Sequence, residues 1–347
     1  MAITSTEFQS PATARVGLIP SVYDKIILVG ANDTPIMSMI KTSVVKGITH
    51  SWITDTLKKP SKNAQLEISA FSGEQKSTKQ QNQNATQIFT TDIMVSQTMQ
   101  EVATYGGKEL ENEVAKATKV HKLDIEYALL GLGRTTENEN KTATTVSAQA
   151  KLSVLKAPQI REASKPGEMA GLFYYVAKGE TAFKDKNGRK EQGNIIAFGN
   201  CDANKWGTGE CVILTEDILH QVLQRVWESG ATPKDIFIGA ELKKALNKMA
   251  SRQFSNEKFI NSSVVSLDTD FGKVNFRLHR FLSKEYGLED VLIAGDFEYA
   301  KMGLLKPTFL SDVSTDKTAI AKRYYTEGCL EVRNADAFAI GVGLKAE

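Results

Sequence analysis

Between Ser72 and Asn84 the chain reads SGEQKSTKQQNQN, a run without one large apolar side chain. Such a run cannot build a core of its own. It is flanked by two alternating segments: AQLEISAF sets Leu66, Ile68 and Ala70 at period two, and TQIFTTDIMVSQT repeats the pattern with Ile93 and Val95. Two strands joined by a long polar tip make a ribbon, and an isolated ribbon is marginal in water because no third layer covers its apolar face. Upstream, HSWITD alternates as well, with His50, Trp52 and Thr54 on one face. A segment that opens on a tryptophan and then gives up its core residues needs a covering surface from outside itself. Neighbouring copies of the same chain are the expected source.

The 347-residue chain as a whole is long enough, and at 41% apolar residues rich enough, for one large or two ordinary domains. Lys and Arg number 43 against 41 Asp and Glu, so no global field draws the chain to nucleic acid or to a membrane. Three cysteines, Cys201, Cys211 and Cys329, fit free thiols in a reducing compartment better than a disulfide framework. The start, MAITSTEFQSPATARVGLIP, lacks the layout of a signal peptide, and no apolar run has the length of a membrane span. A cytoplasmic origin is the expectation.

The first residues are small and polar with Phe8 as the one bulky anchor, an arm that orders against something else. Thr34-Pro35 offers a helix start. The spacing predicts a long helix over Thr98 to Leu132, with Thr98 and Glu101 as a capping box, a permitted bend at Gly106-Gly107 and a stop at Gly131 and Gly133. That is about nine turns, or roughly 50 Å at 1.5 Å per residue. Arg134 to Gln159 reads as a polar loop, and Asn187-Gly188 as a hairpin turn. From Thr215 onward the pattern is a capped helix with Ile218, Leu219, Val222, Leu223, Val226 and Trp227 on one face, then a buried strand PKDIFIG, a second helix and a hairpin turning near Gly272. The fold class is α+β with sheet and helices segregated.

Chemistry is sparse. His50, His121, His220 and His279 lie far apart and outside any catalytic or metal-binding spacing, which favours structural roles. Cys201, Cys211 and His220 match no common zinc spacing and lack a fourth ligand. GLGRTT at Gly131 follows a helix rather than a strand, and the chain has neither a phosphate-binding G-x-x-x-x-G-K-[ST] run nor a G-x-S-x-G elbow. The expectation is no catalytic residue, no metal and no cofactor. Lys76 and Lys79, in the polar tip, serve either to solvate it or to pair with acids on an adjacent subunit.

The order of these parts resembles the major capsid proteins of tailed bacteriophages. The resemblance is carried by NDTPIMSMI with THSWITDTL, LDIEYALLG, MAGLFYYV, SGATPKDIFIG, TDFGKVNFRLHRFL, KMGLLKPTFL and YYTEGCLEVRNADAFAI, spread over nearly the whole chain. It implies the Johnson capsid fold, with an N-terminal arm over 1–30 and a peripheral domain over 31–59 and 92–214 that holds the spine helix 98–132. It further implies an extended loop over 60–91, an axial domain over 215–297 and a return to the peripheral domain over 298–347. Residues 134–159 and 178–210 fall outside the match, as an insertion within 134–214. On this reading Phe8, Leu66, Ile68, Phe71, Lys76 and Lys79 contact other subunits, and Trp52 anchors the loop base.

The implied function is an icosahedral shell of hexamers and pentamers around double-stranded DNA, assembled in a host bacterial cytoplasm and found in the virion. Scaffold, portal and decoration proteins are the further implied partners, and no membrane. Near-neutral charge suits a wall along which DNA must slide. The rivals are a bacterial nanocompartment shell on the same fold, a tail or decoration protein, and an enzyme with a site in the turn-rich Phe198 to Cys211 run.

Overall fold

The structure is a computed structural model that describes residues 34–57, 60, 62, 64, 67–68, 79–102, 108–134, 153–180, 182–186, 189–199, 211–253 and 265–346. Phe8, Leu66, Phe71, Lys76, Cys201 and the pairs Gly106-Gly107 and Asn187-Gly188 lie outside them.

Four strands open the described chain: β1 (Lys41–Val44), β2 (Thr49–Thr54), β3 (Gln80–Ala85) and β4 (Gln87–Ser96). After the long helix come β5 (Lys184–Lys186), β6 (Arg189–Gln192), β7 (Ile195–Ala197) and β8 (Val212–Ile213). Then follow β9 (Asp235–Ile238), β10 (Ser266–Thr269), β11 (Gly272–Leu278) and β12 (Leu292–Gly295). The chain closes with β13 (Ala300–Val313), β14 (Ala319–Val332), β15 (Phe338–Val342) and β16 (Leu344–Lys345). The helices are α1 (Pro35–Met39), α2 (Gln97–Glu101), α3 (Glu109–Leu130), α4 (Leu172–Val176), α5 (Glu216–Glu228) and α6 (Ala240–Gln253).

An eight-stranded mixed sheet runs in the order β10-β11-β9-β12-β15-β7-β6-β5. Its centre, DIFI, LIAG and FAIGV, is buried at every position. Continuous apolar runs without alternation are what strands covered on both faces require. Helix α5 packs on β12 and β15. Its start is the one expected: Thr215 Oγ1 accepts from the Ile218 amide, and Glu216 and Asp217 sit in the first turn, where the helix dipole favours acids. Its core face is Ile218, Leu219, Val222, Leu223 and Val226, whereas Trp227, at the edge of the stripe, is 57% exposed. Strands β9 to β12 share this sheet with β5 to β7 and β15, from outside the 215–297 segment.

A second sheet runs β1-β13-β14-β4. Here the structure gives β4 a partner that periodicity did not name, while most of the expected strand AQLEISAF lies outside the described residues. β4 is antiparallel to β14, with Ile93 opposite Lys322 and Phe89 opposite Thr326, while the strand that turns back beside Trp52 is β3, the polar run QQNQNA paired with β2. Alternation finds a strand but not its partner, and β4's partner lies more than two hundred residues away. One face of β4, with Phe89, Ile93 and Val95, is buried, and α3 packs on this strand.

The spine is corrected. Ser96, not Thr98, caps its first segment, accepting from the Met99 amide. At Val102 the backbone is extended (φ −72°, ψ 133°), so the expected single helix begins as the short α2 and resumes as the 22-residue α3. Val102 itself is 54% exposed. The C-terminal stop is as expected, since Gly131 has φ 86° and carries the left-handed cap.

Candidate assembly site at the ribbon base

Strands β2 and β3 form the root of the ribbon, in register from Thr49 opposite Ala85 to Thr54 opposite Gln80. The β2 alternation read from sequence holds: Trp52 is buried while Ser51 and Ile53 face solvent. The indole Nε1 donates to the Val332 carbonyl at 2.8 Å, and the ring packs 5.4 Å from Tyr175. Tyr175 in turn donates its hydroxyl to the Gln83 carbonyl at 2.9 Å.

Asn84 is the residue that sequence reasoning missed. It stands at the end of the polar run, yet it is fully buried. Its amide nitrogen donates to the carbonyls of Ala170 (3.1 Å) and Leu330 (2.7 Å), and its oxygen accepts from the amides of Ala85 (2.9 Å) and Ala170 (2.8 Å). Both donors and both lone pairs are used, the condition under which a buried amide stabilises rather than costs. No local signal separates this asparagine from Asn82, because its partners beyond the adjacent Ala85 come from two distant segments, around Ala170 and Leu330.

Two glutamates of β14 complete the root. Spaced by four along a strand, Glu327 and Glu331 share one face. Glu327 accepts from Arg161 at 2.8 Å, from Tyr325 at 3.0 Å and from Thr86 at 3.3 Å. Glu331 accepts from Arg333 at 2.7 Å and Ser43 at 3.2 Å, with His50 Nε2 at 3.3 Å. Burial by itself pushes both carboxyls up. The hydrogen bonds and charges of Arg161 and Arg333, with the smaller hydrogen-bonding contributions of Tyr325 and Thr86 at Glu327 and of His50 and Ser43 at Glu331, outweigh it and hold both below the ordinary glutamate value. The ribbon root is thus bolted to β14 by side chains rather than continued as a sheet.

A second buried node joins the spine to the rest. Glu126 of α3 accepts from the amides of Ile36 (2.8 Å) and Met37 (2.7 Å) at the start of α1, and from His279 Nε2 (2.9 Å). The Phe281 amide donates to His279 Nδ1, which places the ring's proton on Nε2. His121 bonds Thr91 at 2.9 Å and Thr326 at 2.7 Å, and its burial lowers its pKa. Both histidines join elements of the fold. Cys329 is fully buried and its thiol is pushed up to about 12 by burial, which keeps it protonated.

Of the residues expected at subunit contacts, Ile68 is 96% exposed and Lys79 is exposed at the entry to β3. Ile53 and Leu57 on the same ribbon are 68% and 98% exposed. Phe8, Leu66, Phe71 and Lys76 fall outside the described residues.

The model of the SU10 major capsid protein family matches residues 2–345. The chain belongs to this family. No curated protein matches the sequence. Among solved structures, the chain is similar to a capsid of a native GTA particle, with TM-score 0.60 and 12% identity over 98% of this chain and 99% of that one. It is also similar to a structure from Microbacterium phage Oxtober96, with TM-score 0.55 and 13% identity over 97% and 99%. A third likeness is to the holo-SrpI encapsulin complex from Synechococcus elongatus PCC 7942, with TM-score 0.51 and 9% identity over 98% and 97%. At such identities the likenesses establish the fold, which phage and encapsulin shells share, and the family match separates them. As an SU10 major capsid protein the chain is a structural component of a virion shell, built from copies of itself.

Proposed function

We propose that this capsid subunit closes an icosahedral shell of hexamers and pentamers around the double-stranded DNA of a tailed phage, and that its ribbon is the part that holds the next subunit. The observation that carries the reading is the contrast within one segment. The root is fixed by Trp52 and Asn84 on β14, while Ile53 on its outer face and Leu57 and Ile68 beyond it stand 68%, 98% and 96% exposed. Aliphatic side chains held in water by a rigid root are an interface awaiting its partner. Phe8 on the arm and Leu66, Phe71, Lys76 and Lys79 on the ribbon are assigned to the same inter-subunit role, and Trp52 to the loop base.

The division into a peripheral domain, an axial domain over 215–297 and an extended loop over 60–91 belongs to this proposal. So do assembly in the host cytoplasm, the partnership of scaffold, portal and decoration proteins, and the absence of enzymatic activity. Many modest contacts, each repeated around a closed surface, supply the stability of the whole.

Negative-stain electron microscopy of the purified chain, with its sedimentation profile, tests the reading. Closed shells or rings of five and six are expected. A monomer at high concentration, with scaffold supplied, overturns it, and protein rather than nucleic acid cargo turns it toward a nanocompartment. Removing Ser72 to Thr78 leaves a folded subunit that does not close shells. The deletion must stop short of Asn84, which belongs to the core.

A further inference from the structure

Beside the ribbon root, the turn between Gln159 and Glu168 frames a cleft of about 330 Å³, lined by Ile88 of β4 and by Arg161 to Gly167. The turn is rigid. Gln159 and Glu168 exchange backbone hydrogen bonds at 2.9 and 3.0 Å, and Glu162 and Lys165 do so at 3.1 and 3.3 Å. Gly167 lies so close to the junction of β3 and β4 that a Cβ there would fall 2.7 Å from the Thr86 carbonyl oxygen. The cleft is therefore preformed, with Ile88 as an apolar wall that stays 40% exposed.

Its rim carries both signs, with Arg161 and Lys165 on either side of the exposed Glu162. Arg161 is committed to Glu327, whereas the exposed Lys165 joins no ion pair among the described residues. A fitting occupant offers a branched aliphatic side chain with a carboxylate beside it. The ribbon carries such a pair: Ile68 is 96% exposed and follows Glu67, which is exposed and joins no ion pair among the described residues. Because Ile68 is open to solvent within its own chain, the cleft of the same copy does not receive it.

We propose that the cleft beside Ile88 is the seat for the Glu67-Ile68 pair of a second copy, with Ile68 against Ile88 and the Glu67 carboxylate on the Lys165 ammonium. The contact is heterologous, since one patch meets a different patch, and such contacts propagate around rings and shells. It rests on the reading of the ribbon as an inter-copy element and adds where on the neighbour the ribbon lands.

The test is charge reversal with rescue. Lys165→Glu and Glu67→Lys, both at exposed positions, each lower the yield of sedimenting shells or rings by about threefold or more, and the double variant recovers to within about twofold of the parent. Mixed preparations of Ile68→Cys and Ile88→Cys chains, mildly oxidised, give a cross-linked dimer that neither variant gives alone.

Three negative results are distinct. If Ile68→Glu abolishes assembly while Lys165→Glu assembles like the parent and no cross-link forms, the ribbon reading stands and this seat is overturned. If Ile68→Glu, Glu67→Lys and Lys165→Glu all assemble like the parent, both are overturned. Loss in each single reversal without rescue in the double, and without the cross-link, assigns the cleft to a different occupant and overturns the pairing.

Discussion

The eight-stranded sheet and the ribbon apply the same alphabet to opposite ends. At the centre of the sheet Ile236, Phe237, Ile238, Leu292 and Ile293 are fully buried, and every aliphatic has found its partner inside one chain. On the ribbon Ile53, Leu57 and Ile68 stay largely open to solvent, and the order comes from the root, where Asn84 and Trp52 spend their hydrogen bonds on β14 and its neighbours. The difference is between a region that completes its folding alone and one whose apolar surface is left for assembly. A shell subunit needs both, because it must persist as a folded monomer and still prefer its neighbours to water.

The largest effect expected is at the centre of the sheet. Phe237 packs edge-on against Phe297 at 4.8 Å and beside His279. Phe237→Ala leaves a cavity and costs about 3–5 kcal/mol in the subunit, read by chemical denaturation. Asn84→Ala comes next. It strips partners from the amide of Ala170 and the carbonyls of Ala170 and Leu330, and is expected to cost about 2–4 kcal/mol. If that variant keeps the parent's stability, the ribbon root is not the fixed point that the comparison requires.

What could be read from the amino acids follows the same line. α5 was legible to its cap, because Thr215, the two acids and the stripe from Ile218 to Val226 are local signals in one turn-by-turn pattern. The burial of Trp52 was legible from alternation in β2. The partner of β4 was not, since nothing in QIFTTDIMVS names a strand at 319–332. Asn84 was hidden for the same reason: three of its four bonds reach Ala170 and Leu330, and a polar residue in a polar run gives no sign of burial. Glu126 was equally silent, an acid in a helix whose partners are the amides of α1 and a histidine beyond β11.

Acid should loosen the root before the sheet. Glu327 and Glu331 both have pKa values held below the ordinary 4.5 in the folded chain. A carboxyl lowered on folding contributes stability that is fully present above its unfolded value and is lost as pH falls through the folded one. Glu331→Gln is expected to cost about 1–2 kcal/mol near neutral pH, with the gap to the parent closing as pH falls below the ordinary glutamate value of 4.5 and through the lower folded one. Thermal unfolding from about pH 7 to about pH 3 reads it. A gap that stays constant with pH would mean that Arg333, Ser43 and His50 hold the glutamate by shape alone.

The smallest effect on the subunit, and the sharpest on the comparison, belongs to Ile53. It stands on the outward face of β2, opposite Gln81, and is 68% exposed one residue from the buried Trp52. Serine there removes aliphatic surface that the subunit does not bury, so unfolding of the purified chain should shift by no more than about 0.5 kcal/mol. Shell or ring yield should nonetheless fall, because the same surface is buried once per contact in the assembly and the loss is repeated around a closed lattice. Phe237→Ala lowers both readouts together, since an unfolded subunit assembles nothing. Ile53→Ser must separate them. If stability and yield both hold, the exposed face of β2 is ordinary surface, and the division between a region folded for itself and one kept for neighbours has to be drawn farther out along the ribbon, beyond Leu57.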